Sequence, residues 1–181
     1  MGRHSAFIGI GWLLAILSGS WGLAQEAVKG KNLRVTSPAF ENNGNIPLKY
    51  GCDGKNVNPP VQIENIPGGT KSLALVLDDQ DAPRGTYVHW ILWNIDPATE
   101  EIKENSVPEG AAQGLNDFKK NLYGGPCPPT RAHKYVLKVY ALATRLELDP
   151  KSTKADLEKA MEGRIIARGQ LAGVYKREKK K

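Results

Sequence analysis

The chain has 181 residues, 40% of them hydrophobic and 24% charged. That suits one globular domain with a full core and excludes a disordered or low-complexity chain. Of the formal net charge of +6, the tail 176–181 carries five positive charges and one negative, and Arg3 adds one more, so the body stands near +1; this excludes a basic face for nucleic acid, and the tail reads as a solvated end.

In chain order, Arg3 and His4 precede an apolar run over 6–17, and Gly22-Leu23-Ala24 places small residues at −3 and −1 of a cut before Gln25. This pattern predicts a secretory signal peptide over 1–24, cleaved after Ala24. The apolar run is short against the roughly 20 residues of a bilayer span, and no cysteine lies near the cut to suggest a lipoprotein. The mature protein is expected to be soluble, periplasmic or secreted, with no stable membrane span. Residues 25–32 form a polar lead, 33–175 a single domain, and 176–181 the basic tail.

Residues 33–37 predict a first strand. Residues 38–60, rich in Asn, Gly and Pro, predict a long ordered loop. Short strands are expected over 61–66 and 73–77. Asp78, Asp79 and Asp81 then arrive together, with Pro83 and Gly85 punctuating a turn. Three acids after a buried strand suit the mouth of a pocket better than a core. The aromatic and β-branched run 87–95 predicts the return strand, with His89 near its start. Residues 96–121 read as loop, and 136–143 as a strong strand. Thr153 and Asp156 have capping-box spacing before Leu157, Ala160 and Met161, and Gly163 can end the helix. Residues 165–175 read as a last strand or a continuation of the helix, and Gly169 and Gly173 favour a strand with bends. No βαβ rhythm or repeat is present, so the expected class is mainly β (α+β), mostly antiparallel with few helices.

Beyond the signal the chain holds two histidines, His89 and His133, and two cysteines, Cys52 and Cys127. Each borders a Gly/Pro-rich loop, which points to a shared polar pocket with Asp79 and Asp81 orienting the rings. Gly124, Gly125 and Pro126 would bring backbone close to a ligand. Two further chemistries use the same residues. One is a metal site, since two His and an Asp resemble a facial triad. The other is a hydrolase with Cys127 beside His133, although there is no G-x-S-x-G elbow. In an exported chain the cysteines permit one bridge, Cys52 to Cys127, with two separate thiols as the alternative.

Several segments resemble one family in the same order. Asp79-Gln80-Asp81-Ala82-Pro83 resembles the D-P-D-A-P motif of the phosphatidylethanolamine-binding protein family. Tyr87-Val88-His89-Trp90 resembles its strand-histidine motif. Gly124 to Pro129, followed by His133-Lys134-Tyr135, resembles its G-x-G-P-P and H-R-Y elements. The segments 52–56, 113–117 and 140–142 are similar to the bacterial YbhB/YbcL-type Raf kinase inhibitor-like branch. The resemblance runs over about 33–175. It implies a large antiparallel sheet packed with a smaller sheet and flanking helices. It also implies a pocket for a small anion such as phosphate or phosphorylethanolamine, formed by Asp79, His89, Gly125, Pro126, His133 and Tyr135, with Asp81 supporting the loop. In that reading the imidazoles, backbone N–H groups and the Tyr135 hydroxyl donate to phosphate oxygens, and Asp79 holds one histidine in its donor tautomer. It implies no cofactor or metal and no catalysis, and leaves a protein partner unnamed. The branch cysteines also occur in members that stay in the cytoplasm, which keeps the separate thiols open. Gln80 stands where the motif has proline and Lys134 where it has arginine. A short spacer, Thr130-Arg131-Ala132, precedes His133.

Overall fold

The computed structural model describes residues 1–2 and 33–178. The expected signal cut after Ala24, the lead 25–32 and the tail end 179–181 lie outside the described residues. Nine strands and one α-helix are formed among those described: β1 (Arg34–Thr36), β2 (Gly44–Asn45), β3 (Val61–Glu64), β4 (Ser72–Asp79), β5 (Tyr87–Ile95), β6 (Glu101–Ile102), β7 (Ala112–Gln113), β8 (His133–Leu142), α1 (Lys154–Met161) and β9 (Ile165–Tyr175). No helix among them is long and apolar enough to cross a membrane.

The expected long strands and the helix are present. Thr153 caps α1: its hydroxyl accepts from the Asp156 N–H at 3.5 Å, and the Asp156 carboxylate accepts from the Thr153 N–H at 2.8 Å. Leu157 and Met161 are buried beneath it, and Gly163 turns the chain with φ +68°. Two expectations need correcting. The loops 38–60 and 96–121 also contain β2, β6, β7 and a 3-10 turn over Leu48–Tyr50. Elements of two or three residues are too short to carry a periodicity. In addition, β4 extends two residues beyond 77, and β8 begins at His133. Asp79 and His133 therefore sit in strands, not loops.

The large sheet has the order β2-β9-β8-β4-β5-β7, antiparallel except where β2 joins β9 in parallel. A small antiparallel sheet has the order β1-β3-β6. The main core lies between them, with Val35, Ile63 and Ile102 facing Leu75, Trp90, Leu92, Leu137 and Val139. A second core covers the other face of the large sheet, where Val76, Ile91 and Trp93 meet Leu157 and Met161 of α1. Because β4 is buried on both faces, its sequence is a continuous apolar run and not an alternating one.

Strand β5 is bulged twice against β4. Leu73 pairs with Ile95 but Leu75 with Leu92, and Leu77 pairs with Trp90 but Asp78 with Val88. One extra residue enters at each step. The first falls by Asn94, which takes φ +58°. The second is His89. A bulge frees one residue from the ladder and re-aims its side chain. Val88 and Trp90 consequently join opposite cores despite being two residues apart.

Candidate functional site

Asp79 ends the central strand β4, opposite Tyr87 of β5 and Tyr135 of β8. Its Oδ2 accepts from His133 Nδ1–H at 2.8 Å, and both side chains are buried. Its Oδ1 accepts the Asp81 N–H at 2.9 Å. A carboxylate accepts, so the proton sits on His133 Nδ1, and Nε2 is the ring's remaining polar atom.

The other ring is locked in the same way by backbone. His89 Nδ1–H donates to the Gly124 carbonyl at 2.6 Å, and the Gly124 N–H donates to the His89 carbonyl at 3.0 Å. Buried Asn116 braces the arrangement, donating to the carbonyls of His89 (3.2 Å) and Leu122 (2.8 Å). Three aromatic rings meet His89 edge to face, with centroids at 5.6 Å (Tyr87), 5.2 Å (Phe118) and 5.2 Å (Tyr135). Burial in this shell pushes the imidazole below its ordinary range, partly offset by the Gly124 carbonyl and by the charges of Asp79 and Asp117. Neutral His89 thus presents Nε2 as an acceptor; protonation turns it into a charged donor.

That shift has a stability consequence. An unfolded histidine titrates near 6.5, and the folded His89 below it, so the unfolded chain takes up a proton first. The His89 contribution is complete above about pH 6.5 and is lost as pH falls through the folded value. In urea titrations the midpoint is expected to fall between about pH 7 and pH 5, and His89→Gln to flatten part of that slope. An unchanged slope in the variant would show that the ring is not held neutral.

Asp79, His89 and His133 line one cavity of about 180 Å3, together with Ala82, Pro83, Tyr87, Phe118, Cys127 and Pro129. Three expected contributors sit differently. Gly125 lies on a neighbouring cavity, and its N–H is taken by Asn56 Oδ1 at 2.7 Å. Pro126 uses its carbonyl to accept the Cys52 N–H at 3.0 Å. The Tyr135 hydroxyl is sealed from solvent without a hydrogen-bond partner, and its phenol is pushed far up by burial, then by the Asp79 charge. Gly125 and Pro126 thus brace the wall without a free donor, whereas the Tyr135 hydroxyl lies beside Asp79. Asp81 steadies the loop, accepting the Lys134 N–H at 2.8 Å with Arg131 at 3.8 Å.

Asp78 leaves the group altogether. It faces the second core, where Lys138 and Lys154 bind its Oδ2 at 2.8 and 2.9 Å. Adjacent strand residues point to opposite faces, so Asp78 and Asp79 could not share a pocket. Tyr87 and Phe118 were not anticipated. Tyr87 stands two residues before His89, a strand-face spacing that was available to read. Phe118 lies in a loop with no local signal.

A disulfide joins Cys52 to Cys127 with Cα atoms 5.4 Å apart. Beside it, the Tyr123 hydroxyl donates to the Tyr50 carbonyl at 2.9 Å. The loop around 50–56 is thereby fastened to the loop 123–127 that carries the wall. Among the described residues no group of three or more His, Cys, Asp and Glu side chains is placed to hold a metal ion.

Residues 36–176 match the family model of the phosphatidylethanolamine-binding protein. A UPF0098 protein of Methanothermobacter thermautotrophicus is 41% identical over 150 residues, covering 80% of this chain and 99% of its own. One from Pyrococcus horikoshii is 48% identical over 155 residues, covering 81% and 77%. The crystal structure of a phosphatidylethanolamine-binding protein homologue from Chlamydia trachomatis superposes with TM-score 0.78 at 36% identity, over 81% of this chain and 99% of that one. Escherichia coli YbcL, a member of the mammalian PEBP family, gives TM-score 0.76 at 29% identity with the same coverage.

Proposed function

The chain belongs to the phosphatidylethanolamine-binding protein family, and from that premise we propose that its Asp79–His89–His133 pocket binds a small oxyanion, phosphate or a phosphomonoester headgroup. One observation carries this reading. Two buried imidazoles have their Nδ1 atoms spent on fixed acceptors, so both present only Nε2 in one cavity. A cavity of that size holds on the order of six water volumes, room for a phosphate and its near hydration. An oxyanion would draw protons onto the Nε2 atoms and receive charge-assisted hydrogen bonds from them.

The same pocket suits recognition better than catalysis. Its lining holds no serine, threonine, lysine or free thiol. Both Asp79 oxygens already accept hydrogen bonds, which leaves the carboxylate a poor nucleophile or general base.

Titration calorimetry with inorganic phosphate tests the reading. His133→Ala removes a charged donor and is expected to cost roughly 1.5–3 kcal/mol, one to two powers of ten in affinity. Sulfate does not titrate near neutrality, so its pH profile reports the protein. Its affinity should rise as pH falls from about 8 towards 6, because the bound anion raises the imidazole pKa above its free value. Attraction to the basic tail is the rival. If deleting 176–181 abolishes binding and His133→Ala leaves it intact, the pocket reading fails.

In this proposal the protein meets its ligand outside the cytoplasm, since the segment 1–24 has the make-up of a cleaved signal. N-terminal sequencing of protein from its native compartment should begin at Gln25. Full-length chain in the cytoplasm would overturn this.

A further inference from the structure

The face of the large sheet turned away from the small sheet is covered only in part. Helix α1 packs Leu157 and Met161 over Val76, Ile91 and Trp93, on the β4–β5 side. Farther across the sheet, Lys138 of β8 stands opposite Gln170 of β9, and Tyr140 opposite Arg168. Residues directly opposite in a ladder share a face. Lys138 and Tyr140 also stand opposite Val76 and Ala74, both in the second core, so all four side chains belong to this outer face. They line a cavity of about 540 Å3 that shares no residue with the histidine pocket. Such a volume is within the range of small-molecule sites. Leu33 and Gly169 close its edge. The Leu33 N–H donates to the Arg168 carbonyl at 3.2 Å, and a Cβ at position 169 would collide with the Leu33 carbonyl.

Its charge is set from below by buried Asp78. One carboxylate oxygen takes both Lys138 and Lys154, while Oδ1 has no hydrogen-bond partner among the described residues. Lys154 also stands 3.6 Å from Glu158. With Arg168, three cations meet two carboxylates in this cluster, and one positive charge is left over. The Arg168 guanidinium is exposed, and neither it nor the Gln170 amide has a hydrogen-bond partner among the described residues. One negative charge balances the cluster, whereas a phosphate dianion overshoots it. The guanidinium fork matches the two oxygens of a carboxylate. Beside it lies the half-buried Tyr140. Burial, then the charges of Glu158 and Asp78, push its phenol above the ordinary range, so the hydroxyl keeps its proton and can donate. The Tyr140 ring and the aliphatic stems of Lys138 and Arg168 supply a flat apolar surface. We propose that this outer face of β8 and β9 is a second binding site, for a monocarboxylate carried on a flat aromatic body, with Arg168 gripping the carboxylate and Tyr140 against the ring. It stands independently of the oxyanion pocket.

Titration calorimetry with 1-naphthoate, its neutral amide 1-naphthamide and inorganic phosphate tests this. Naphthoate is expected to bind with a Kd of about 1 mM or below. Replacing it by the amide, or Arg168 by glutamine, should weaken binding roughly tenfold or more, and Tyr140→Leu roughly threefold or more. Arg168→Gln changes an exposed side chain with no hydrogen bond to lose, so its urea midpoint should match the parent's and its phosphate affinity should stay within about twofold. His133→Ala should likewise leave naphthoate affinity within about twofold. The proposal is overturned if naphthoate does not bind, if the amide binds as well, or if either Arg168→Gln or Tyr140→Leu binds naphthoate as tightly as the parent. Loss of naphthoate binding in His133→Ala also overturns it, because the ligand would then sit in the histidine pocket. The phosphate titration reports on that pocket separately, so its failure and the failure of this site are told apart.

Discussion

Replacing Cys52 and Cys127 together by serine should lower the free energy of unfolding by about 4 kcal/mol, the largest single effect expected in this protein. The bridge spans 75 residues of sequence. In the chain-entropy account a loop of that length, left open, restores conformational freedom to the unfolded state, and removing a native bridge costs roughly 2–5 kcal/mol. The native state should survive the change. The two loops remain joined by the Cys52–Pro126 and Gly125–Asn56 hydrogen bonds and by Tyr123 to Tyr50. Beyond β9, Arg177 also grips Asp53 through two nitrogens at 2.8–3.1 Å. The outcome is therefore a lower urea midpoint with an unchanged circular dichroism spectrum, and a fall in Tm on the order of 10 °C for a domain of this size. A midpoint equal to that of the parent would mean that the unfolded chain gains nothing from release of the bridge. Two reactive thiols in denatured, unreduced parent protein would mean that the bridge does not form in solution.

Asp79→Ala should cost about 2–4 kcal/mol, because it orphans two donors at once, the buried His133 ring and the Asp81 N–H. Asp81→Ala, two residues away, should cost less than about 1 kcal/mol. Its bond from the Lys134 N–H is exposed, and its Arg131 partner is 68% exposed and 3.8 Å away, so water replaces both at little cost. The pair makes a sharp comparison, since both acids lie in one short motif and differ chiefly in depth. Chemical denaturation of the two variants measures it. Equal losses would show that the Asp79–His133 contact does not hold the end of β4 to β8.

Much of this arrangement was legible in the order of residues. Strands β3, β4, β5, β8 and β9 are long enough for β-branched and aromatic runs to register, and α1 announces itself through Thr153 and Asp156. Asp79, His89 and His133 could be proposed as companions from their scarcity and their motifs. The short strands β2, β6 and β7 could not be read, because their two residues pair only where a longer strand supplies the partner. The three adjacent acids could not be sorted either. Strand alternation sends Asp78 to two lysines on one face and Asp79 to the pocket on the other, but the phase of that alternation depends on how far β4 extends. Nor did glycine content say where Gly125 would spend its N–H.

What the sequence determined by itself was local: apolar runs of strand length, a capped helix, and side chains of the right chemistry near turns. Which of those side chains meet was decided only by the tertiary structure. Trp90 joins the main core, on the side opposite Val88, because β5 takes one extra residue against β4 at His89. A bulge is a property of two strands in register, held here by the Gly124 loop and Asn116 from elsewhere in the chain. No window of neighbouring residues contains both sides of that pairing.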